Sequence, residues 1–252
     1  MTKRNQSIYL HFIELKKRIL ISAAAFLVAS LFSYIFASQI YEFLTRPLSS
    51  IIPDHTSHRI IYTSLTEVFF TYVKLACFSG FIISFPIMMT QLYLFIAPAL
   101  YQNEKKIFIP FMIASPLLFL FGAVFVYSVI FPLAWKFFLS FENTDNTANI
   151  PIILEAKVSE YLSLVLNLII AFGLSFQIPV ILVLLGIFNL IDSNWLKQKR
   201  KISIVTIFVI AAILTPPDVV SQVALAIPML ILYELSIYAC KYIEHQRKQN
   251  NA

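Results

Sequence analysis

Long runs of apolar residues dominate this sequence and constrain its fold more than any other feature. A helix needs about 20 apolar residues to cross the hydrocarbon core of a bilayer, which is about 30 Å thick. Six runs approach or exceed this length, at about 19–38, 68–96, 107–139, 158–188, 202–214 and 220–240. They are apolar on all sides rather than alternating, which favours helices over a membrane β-barrel. The sequence therefore predicts an all-α polytopic membrane protein with six transmembrane helices, in a single membrane domain over residues 1–252.

The six predicted helices are unequal in length. The runs 68–96, 107–139 and 158–188 would form helices about 44–50 Å long, whereas 202–214 would reach only about 20 Å. A proline inside a helix removes a hydrogen bond and bends the chain. Prolines within the apolar runs include Pro86, Pro116, Pro132, Pro179 and Pro228. We therefore expect a curved, open wall of helices.

The positions of Lys and Arg predict the orientation, because cytoplasmic loops carry an excess of both. With the N-terminus inside, 14 of the 19 Lys and Arg residues fall on the inner side. Both termini are therefore predicted to be cytoplasmic, and the basic inner segments would attract anionic lipid. Before the first run, apolar residues recur at helical spacing, which predicts an amphipathic helix over 5–18 at the membrane surface.

Composition excludes several classes of function. Only 13% of the residues are charged and the mean hydropathy is +0.81, whereas an average soluble protein has about 25% charged residues. A soluble enzyme and a nucleic-acid-binding domain are therefore excluded. The four glycines form no phosphate-binding loop, and the two cysteines and four histidines lack the spacing of a metal site. We expect no cofactor, no metal and no enzymatic activity.

Polar residues within the apolar runs are candidates for function, because a charge at the bilayer centre costs about 2.5–3.5 kcal/mol. These residues are Lys74, Gln91, Gln177, Gln222 and Glu234. Lys74 and Glu234 lie near helix ends, where a long side chain can reach the interface. Gln177 lies in the middle of a run, where its amide either bonds a neighbouring helix or has a functional role. No series of buried acids is present, so a proton relay has little support.

Two carboxylates lie at the predicted inner interface among many cations. Glu14 is in the amphipathic segment, and Glu104 is near the start of the third long helix, after Pro98 ends the second. A carboxylate in a partly dehydrated interface can accept two parallel hydrogen bonds from an arginine. Two local interpretations stay open. Glu14 can pair with Arg18 one helical turn away, and Glu104 can stabilise a helix start.

Six motifs, in order along the chain, resemble those of the TatC family, the core membrane subunit of the twin-arginine protein translocase. They are His11–Arg18, Ser64–Phe70, Phe95–Glu104, Phe131–Ala134, Ala171–Pro179 and Leu214–Gln222. The last, which reads LTPPDVVSQ, is the most specific. Because the motifs extend from the first predicted helix to the sixth, the resemblance covers nearly the whole chain.

The resemblance implies a function that composition alone does not. TatC-like proteins receive folded precursors that carry an N-terminal twin-arginine signal peptide. They work with the single-span partners TatA and TatB in a multi-copy complex, and they use the proton-motive force. The expected location is a bacterial inner membrane, with an organellar membrane as the second possibility.

The resemblance also implies site residues. The family positions that match Glu14 and Glu104 bind the arginine pair of the signal, Phe95 belongs to the same site, and Arg18 matches a basic position of the first motif. Positions linked to function in less defined ways are matched by Pro47, Tyr127, Asp218 and Gln222. The fifth and sixth predicted helices match the region where TatB or TatA docks.

Two residues depart from the family pattern. Lys16 replaces the usual arginine, which keeps the charge but loses the planar donor fork. Gln177 replaces the glutamate of many members, which indicates that a buried ionisable group is either dispensable for transport or located elsewhere in the chain.

A secondary transporter and an intramembrane enzyme are the two alternative classes of function. A secondary transporter would have interrupted helices in two related halves and an ionisable site at the midplane, which the six unequal runs do not provide. An intramembrane enzyme would need a catalytic pair within a span, and neither a Ser/His pair nor an HExxH motif occurs there.

Overall fold

The described part of the protein folds almost entirely into helices. The structure, a computed structural model, describes residues 3–51, 60–99, 102–142, 154–215 and 219–250. The helices are α1 (Lys3–Ile35), α2 (Ala37–Ser49), α3 (Glu67–Ile96), α4 (Gln102–Phe125), α5 (Phe131–Leu139), α6 (Val158–Ser175), α7 (Ile178–Ile187), α8 (Ser193–Gln198), α9 (Arg200–Leu214) and α10 (Val219–Asn250). A 3-10 turn, Ala97–Ala99, follows α3, and a π-helical turn, Val126–Ile130, joins α4 to α5.

Five stretches of the described chain are long and apolar enough to cross a membrane. They are His11–Ile35, Glu67–Ile96, Met112–Leu139, Val158–Ile187 and Ser221–Gln246. The predicted fifth span corresponds to α9, which has 15 residues and is therefore only about 22 Å long. The predicted all-α polytopic class is confirmed. The count of six, the curved wall and the cytoplasmic termini stay predictions.

The spans expose large apolar side chains, as expected for helices that face lipid. Leu31 of α1 is 72% exposed, Leu117 of α4 is 61% exposed and Ile213 of α9 is 76% exposed. A soluble protein rarely exposes apolar surface on this scale, whereas in a bilayer lipid covers it. These side chains thus support the membrane assignment.

Helix boundaries differ from the predicted runs in three places. The helix α1 is continuous through the predicted surface helix, 5–18, and the first predicted span. The run 107–139 contains the π-helical turn, and 158–188 is divided between α6 and α7. Pro132 and Pro179 lie in the first turn of α5 and α7, where proline is tolerated because the first N–H groups of a helix have no partner.

The contacts group the chain into two compact units, of which the first comprises residues 1–40 and 72–116. In this unit α1 approaches α3 closely at Ser30 and Gly80. A Cβ atom at position 80 would lie 2.6 Å from both the Cα and the backbone nitrogen of Ser30. Since lipid gives no hydrophobic force between helices, small residues that permit close backbone packing hold such pairs together. Only glycine fits at position 80.

The second unit comprises residues 41–71 and 117–252. Here α10 packs on α7 and α9 and also holds the short helix α8. The carboxylate of Glu244 accepts hydrogen bonds from the Ser193 N–H at 2.6 Å and from its hydroxyl at 2.7 Å, and Tyr233 donates to the Leu196 carbonyl at 2.7 Å. A carboxylate at the start of α8 satisfies helix N–H groups that have no partner within the helix.

Also in the second unit, Glu67 at the start of α3 accepts hydrogen bonds from the start of α6. Its Oε1 accepts bonds from the Ser159 hydroxyl at 2.7 Å and backbone N–H at 3.2 Å, while its Oε2 accepts from the Thr63 N–H at 2.8 Å. An isolated β-bridge between Ile61 and Lys157 lies beside it. The Glu67 carboxylate therefore links the start of α3 to Ser159 at the start of α6, which is 92 residues further along the chain.

The close approach at Gly80 predicts a stability effect. Gly80→Val should force α1 away from α3, and overpacking of this kind costs about 1–3 kcal/mol. The matched control is Cys77→Val, because Cys77 lies one turn away on α3 and is exposed. Thermal unfolding of the detergent-solubilised variants, followed by size-exclusion chromatography, should show a lower midpoint for Gly80→Val. Equal midpoints would contradict the packing interpretation.

Candidate functional site

Glu14 and Arg18 form a half-buried ion pair on α1. They lie one helical turn apart, and Arg18 Nη2 donates to Glu14 Oε1 at 3.3 Å. Their side chains are only 23% (Arg18) and 33% (Glu14) exposed, so water screens the pair less than it screens a surface pair. The local pairing left open by the sequence is thus present.

Arg18 also connects α1 to α3. Its Nη1 donates to the side-chain oxygen of Gln91 at 3.1 Å, and its Nε is buried without a hydrogen-bond partner among the described residues. The five donors of a guanidinium point in fixed directions, so one arginine can hold a carboxylate and an amide at once. Gln91, a polar candidate with no predicted partner, therefore anchors this site.

A ring contact lies beside the ion pair. The His11 and Phe95 rings stack with centroids 4.4 Å apart and an angle of 26° between their planes. His11 precedes Glu14 by one turn of α1, and Phe95 follows Gln91 by one turn of α3. The two helices thus meet at two successive contacts, and Phe95 lies beside the Glu14–Arg18 pair; its role in binding stays a prediction. His11 opens the first family motif, and its spacing from Glu14 and Arg18 puts all three residues on one helix face.

Glu104 is the third residue of α4, which begins at Gln102. Its side chain lies outside the described residues, so its position relative to Glu14 stays a prediction. A carboxylate in the first turn is favoured by the partial positive charge of a helix N-terminus, which agrees with the local interpretation left open above.

Two further candidates, Pro47 and Tyr127, meet at one backbone carbonyl in the second unit. Pro47 is buried inside α2 and has no N–H to donate to the carbonyl four residues earlier, that of Phe43. The Tyr127 hydroxyl donates to this carbonyl at 3.0 Å, and its ring stacks on Phe43 at 4.5 Å. Tyr127 thus supplies the hydrogen bond that Pro47 removes.

Tyr127 belongs to the π-helical turn between α4 and α5. Such turns are rare and often occur at functional sites, because the extra residue rotates the side chains of the helix. The apolar run 107–139 is continuous here, so the sequence does not predict this π-helical turn.

The remaining candidates lie elsewhere in the second unit. Gln177 is 8% exposed and occupies the break between α6 and α7, and Gln222 of α10 donates to the Phe208 carbonyl of α9 at 3.2 Å. Asp218 lies outside the described residues. Glu234, predicted to reach the interface, accepts a bond from Arg200 at 2.6 Å. Each described residue of this set joins or interrupts helices.

The helices and the charged site on α1 define a polytopic helical membrane protein. Comparison with known proteins narrows this class: residues 10–228 match the family model described as TatC, Sec-independent protein translocase protein. The chain therefore belongs to the TatC family and is a component of a membrane protein translocase.

Similar proteins cover nearly the whole chain. The Sec-independent protein translocase protein TatC of Rickettsia prowazekii (strain Madrid E) is 50% identical over 240 residues, which are 95% of this chain and 94% of that protein. TatC of Escherichia coli (strain K12) is 38% identical over 237 residues, 94% of this chain and 89% of that one. A crystal structure of the twin-arginine translocase receptor TatC superposes with a TM-score of 0.74 at 40% identity and covers 92% of this chain and 98% of that one.

The carbonyl shared by Pro47 and Tyr127 predicts a double-mutant coupling. Tyr127→Phe removes the hydrogen bond to the Phe43 carbonyl, which should destabilise the protein by about 0.5–1.5 kcal/mol. In a Pro47→Ala background the new alanine N–H can donate to the Phe43 carbonyl, so the same substitution should cost much less. Thermal unfolding of the four proteins in detergent measures the coupling.

Tyr161→Phe is the matched control for this cycle. The Tyr161 hydroxyl donates to the Leu44 carbonyl at 2.9 Å. The helical donor for this carbonyl is the N–H of Leu48, which Pro47→Ala does not change. Tyr161→Phe should therefore destabilise the wild type and the Pro47→Ala protein equally. An equal cost of Tyr127→Phe in both backgrounds would refute the compensation.

Proposed function

We propose that this chain is the receptor and core component of a twin-arginine translocation system in a bacterial inner membrane. It binds the N-terminal twin-arginine signal peptides of folded precursors and exports the precursors with the proton-motive force. Its partners are TatA- and TatB-like single-span proteins in a multi-copy complex. Family membership and the similar structure described as a twin-arginine translocase receptor support this assignment.

The observation that carries the proposal is the guanidinium already bound to Glu14. In the free protein Arg18 donates one hydrogen bond to one carboxylate oxygen of Glu14, so the site is suited to a guanidinium. An arginine of the signal would bind this carboxylate through two parallel, charge-assisted hydrogen bonds. A lysine would keep the attraction but lose this fork.

Binding is therefore an exchange. The incoming arginine takes the place of Arg18 on Glu14, and Arg18 keeps its hydrogen bond to Gln91. Gln91 is thus a positioning residue, because it holds the displaced guanidinium inside the protein. Without it, Arg18 would compete more strongly with the signal for Glu14.

Glu104 supplies the second carboxylate of the clamp. Its place in the first turn of α4 follows soon after Phe95, which contacts the Glu14 region through His11. Each carboxylate then receives one arginine of the pair. In the second unit, α9 and α10 are the region for TatA or TatB, where Gln222 joins the two helices.

The exchange predicts how arginine recognition fails. Glu14→Gln keeps the size of the side chain but removes its charge, so a twin-arginine peptide should bind about three- to tenfold more weakly. A peptide with Lys-Lys in place of Arg-Arg should bind weakly to the wild type. Discrimination between the two peptides should weaken in Glu14→Gln, because only the Glu104 carboxylate would remain to bind an arginine through two parallel hydrogen bonds. Fluorescence anisotropy with the solubilised protein measures all four affinities.

Glu160→Gln is the matched control, because Glu160 is 72% exposed and pairs only with its neighbour Lys157 among the described residues. This variant should behave as the wild type. Full discrimination between Arg-Arg and Lys-Lys peptides by Glu14→Gln would exclude Glu14 from the clamp. In cells, the Glu14→Gln variant should export a folded twin-arginine reporter poorly.

A further inference from the structure

An open cleft of about 420 Å³ lies on the surface of α1 in the first unit. Its lining residues recur three or four positions apart along the helix, so they share one face. The described residues that line the cleft are Ile13, Lys16, Lys17, Leu20, Ile21 and Ala24. The cleft therefore combines two cations near the start of α1 with an apolar surface that continues along the helix.

This cleft is separate from the charged site at Glu14. Arg18 bonds Glu14 and also Gln91 of α3, and none of these three residues lines the cleft. The side chains of Lys16 and Lys17 are exposed, and neither forms an ion pair with any residue that the structure describes. The binding of a signal arginine therefore leaves both lysines without a role.

We propose that this cleft binds one anionic phospholipid of the phosphatidylglycerol class. The phosphodiester of the lipid accepts hydrogen bonds from the ammonium groups of Lys16 and Lys17, and an acyl chain lies along Leu20, Ile21 and Ala24. The attraction of basic segments to anionic lipid then has a defined place on the molecule. The site goes beyond the proposed function, because it needs no signal peptide.

The depth of the two lysines matches that of the lipid phosphates. Both lie within the first two turns of His11–Ile35, a stretch that is long and apolar enough to cross a membrane. A lysine near the end of a span extends its ammonium group to the interface. Ala24 is eight residues after Lys16 and therefore about 12 Å further along α1. A lipid whose headgroup meets the lysines thus places an acyl chain beside the apolar part of the cleft.

The charges of the cleft distinguish an anionic lipid from a zwitterionic one. Among the described lining residues there are two cations and no carboxylate. The cationic group of a zwitterionic headgroup would meet like charges there, whereas phosphatidylglycerol carries only the charge of its phosphate. Lysine binds phosphate as a point charge and needs no planar fork. Each lysine should raise the affinity for an anionic lipid about fivefold, and the two together about 25-fold.

The same charges disfavour a protein helix as the occupant. A symmetric dimer uses the same surface of both copies, so a dimer through this face would bring the lysine pairs of two copies into one interface. A different helix would need carboxylates at the depth of Lys16 and Lys17, and a charge within a span is costly. A lipid headgroup supplies the anion at this depth without such a residue.

Removal of the two cations tests the headgroup contact. The test variant is Lys16→Gln/Lys17→Gln, and the matched control is Lys199→Gln/Lys201→Gln, which removes the same charge at the start of α9. The detergent-solubilised full-length proteins are titrated with dioleoyl phosphatidylglycerol or dioleoyl phosphatidylcholine, and native mass spectrometry counts the bound lipids. The wild type and the control should bind the first phosphatidylglycerol about 25-fold more tightly than phosphatidylcholine. In the test variant this preference should fall to about twofold or less.

A bulky side chain in the apolar part tests the acyl contact. Ala24→Phe places a ring in the cleft and should weaken the binding of phosphatidylglycerol about tenfold. The matched control is Val28→Phe, because Val28 lies one turn further along α1, is 67% exposed and does not line the cleft. Val28→Phe should bind phosphatidylglycerol as the wild type does.

Four outcomes would overturn the proposal. Equal preferences in the two double variants, whether kept or lost, would show diffuse attraction to charge instead of a site. A wild type without preference for phosphatidylglycerol would exclude the headgroup contact. Equal binding of phosphatidylglycerol by Ala24→Phe and Val28→Phe would place the lipid outside the cleft. A dimer that binds no phosphatidylglycerol and that Ala24→Phe dissociates would assign this face to a second copy of the chain.

Discussion

The two hydrogen bonds of the Arg18 guanidinium determine the arrangement of the charged site. One reaches Glu14 on the same helix and the other reaches Gln91 on α3. A carboxylate that is partly removed from water is costly unless it is paired, and the hydrogen bond from Arg18 offsets this cost for Glu14. Arg18 also joins α1 to α3 next to the contact between His11 and Phe95. The packing of these two helices and the proposed recognition of arginine thus involve the same side chain.

The sequence predicts the parts of this structure that local physics determines. Long apolar runs must be helical in lipid because every backbone group needs a partner, and the Glu14–Arg18 pair follows from one helical turn. The contact between Arg18 and Gln91 joins residues 73 positions apart, and no spacing rule predicts it. Helix ends were predicted only in part, since Pro179 begins a helix whereas Pro86 lies inside one.

Tyr127 and Pro47 show why a resemblance can identify residues without explaining them. Each matched a family position linked to function, but neither has a predictable role when considered alone. The missing N–H of Pro47 leaves the Phe43 carbonyl without its helical donor, and the Tyr127 hydroxyl occupies that position. The relation between them is visible only when the backbone of α2 and the π-helical turn are placed together, because the proline acts through an atom of another residue.

The proposed exchange at Glu14 would limit how much affinity the arginine itself can provide. Since Arg18 already donates to this carboxylate, an incoming guanidinium replaces an existing charge-assisted bond, and the net gain is the difference between two similar interactions. Selectivity for arginine over lysine survives, because only arginine restores two parallel bonds. Most of the affinity must then come from contacts that have no counterpart in the free protein. In the proposed function a second arginine at Glu104 is a contact of this kind, so both carboxylates would be needed for a signal to bind tightly.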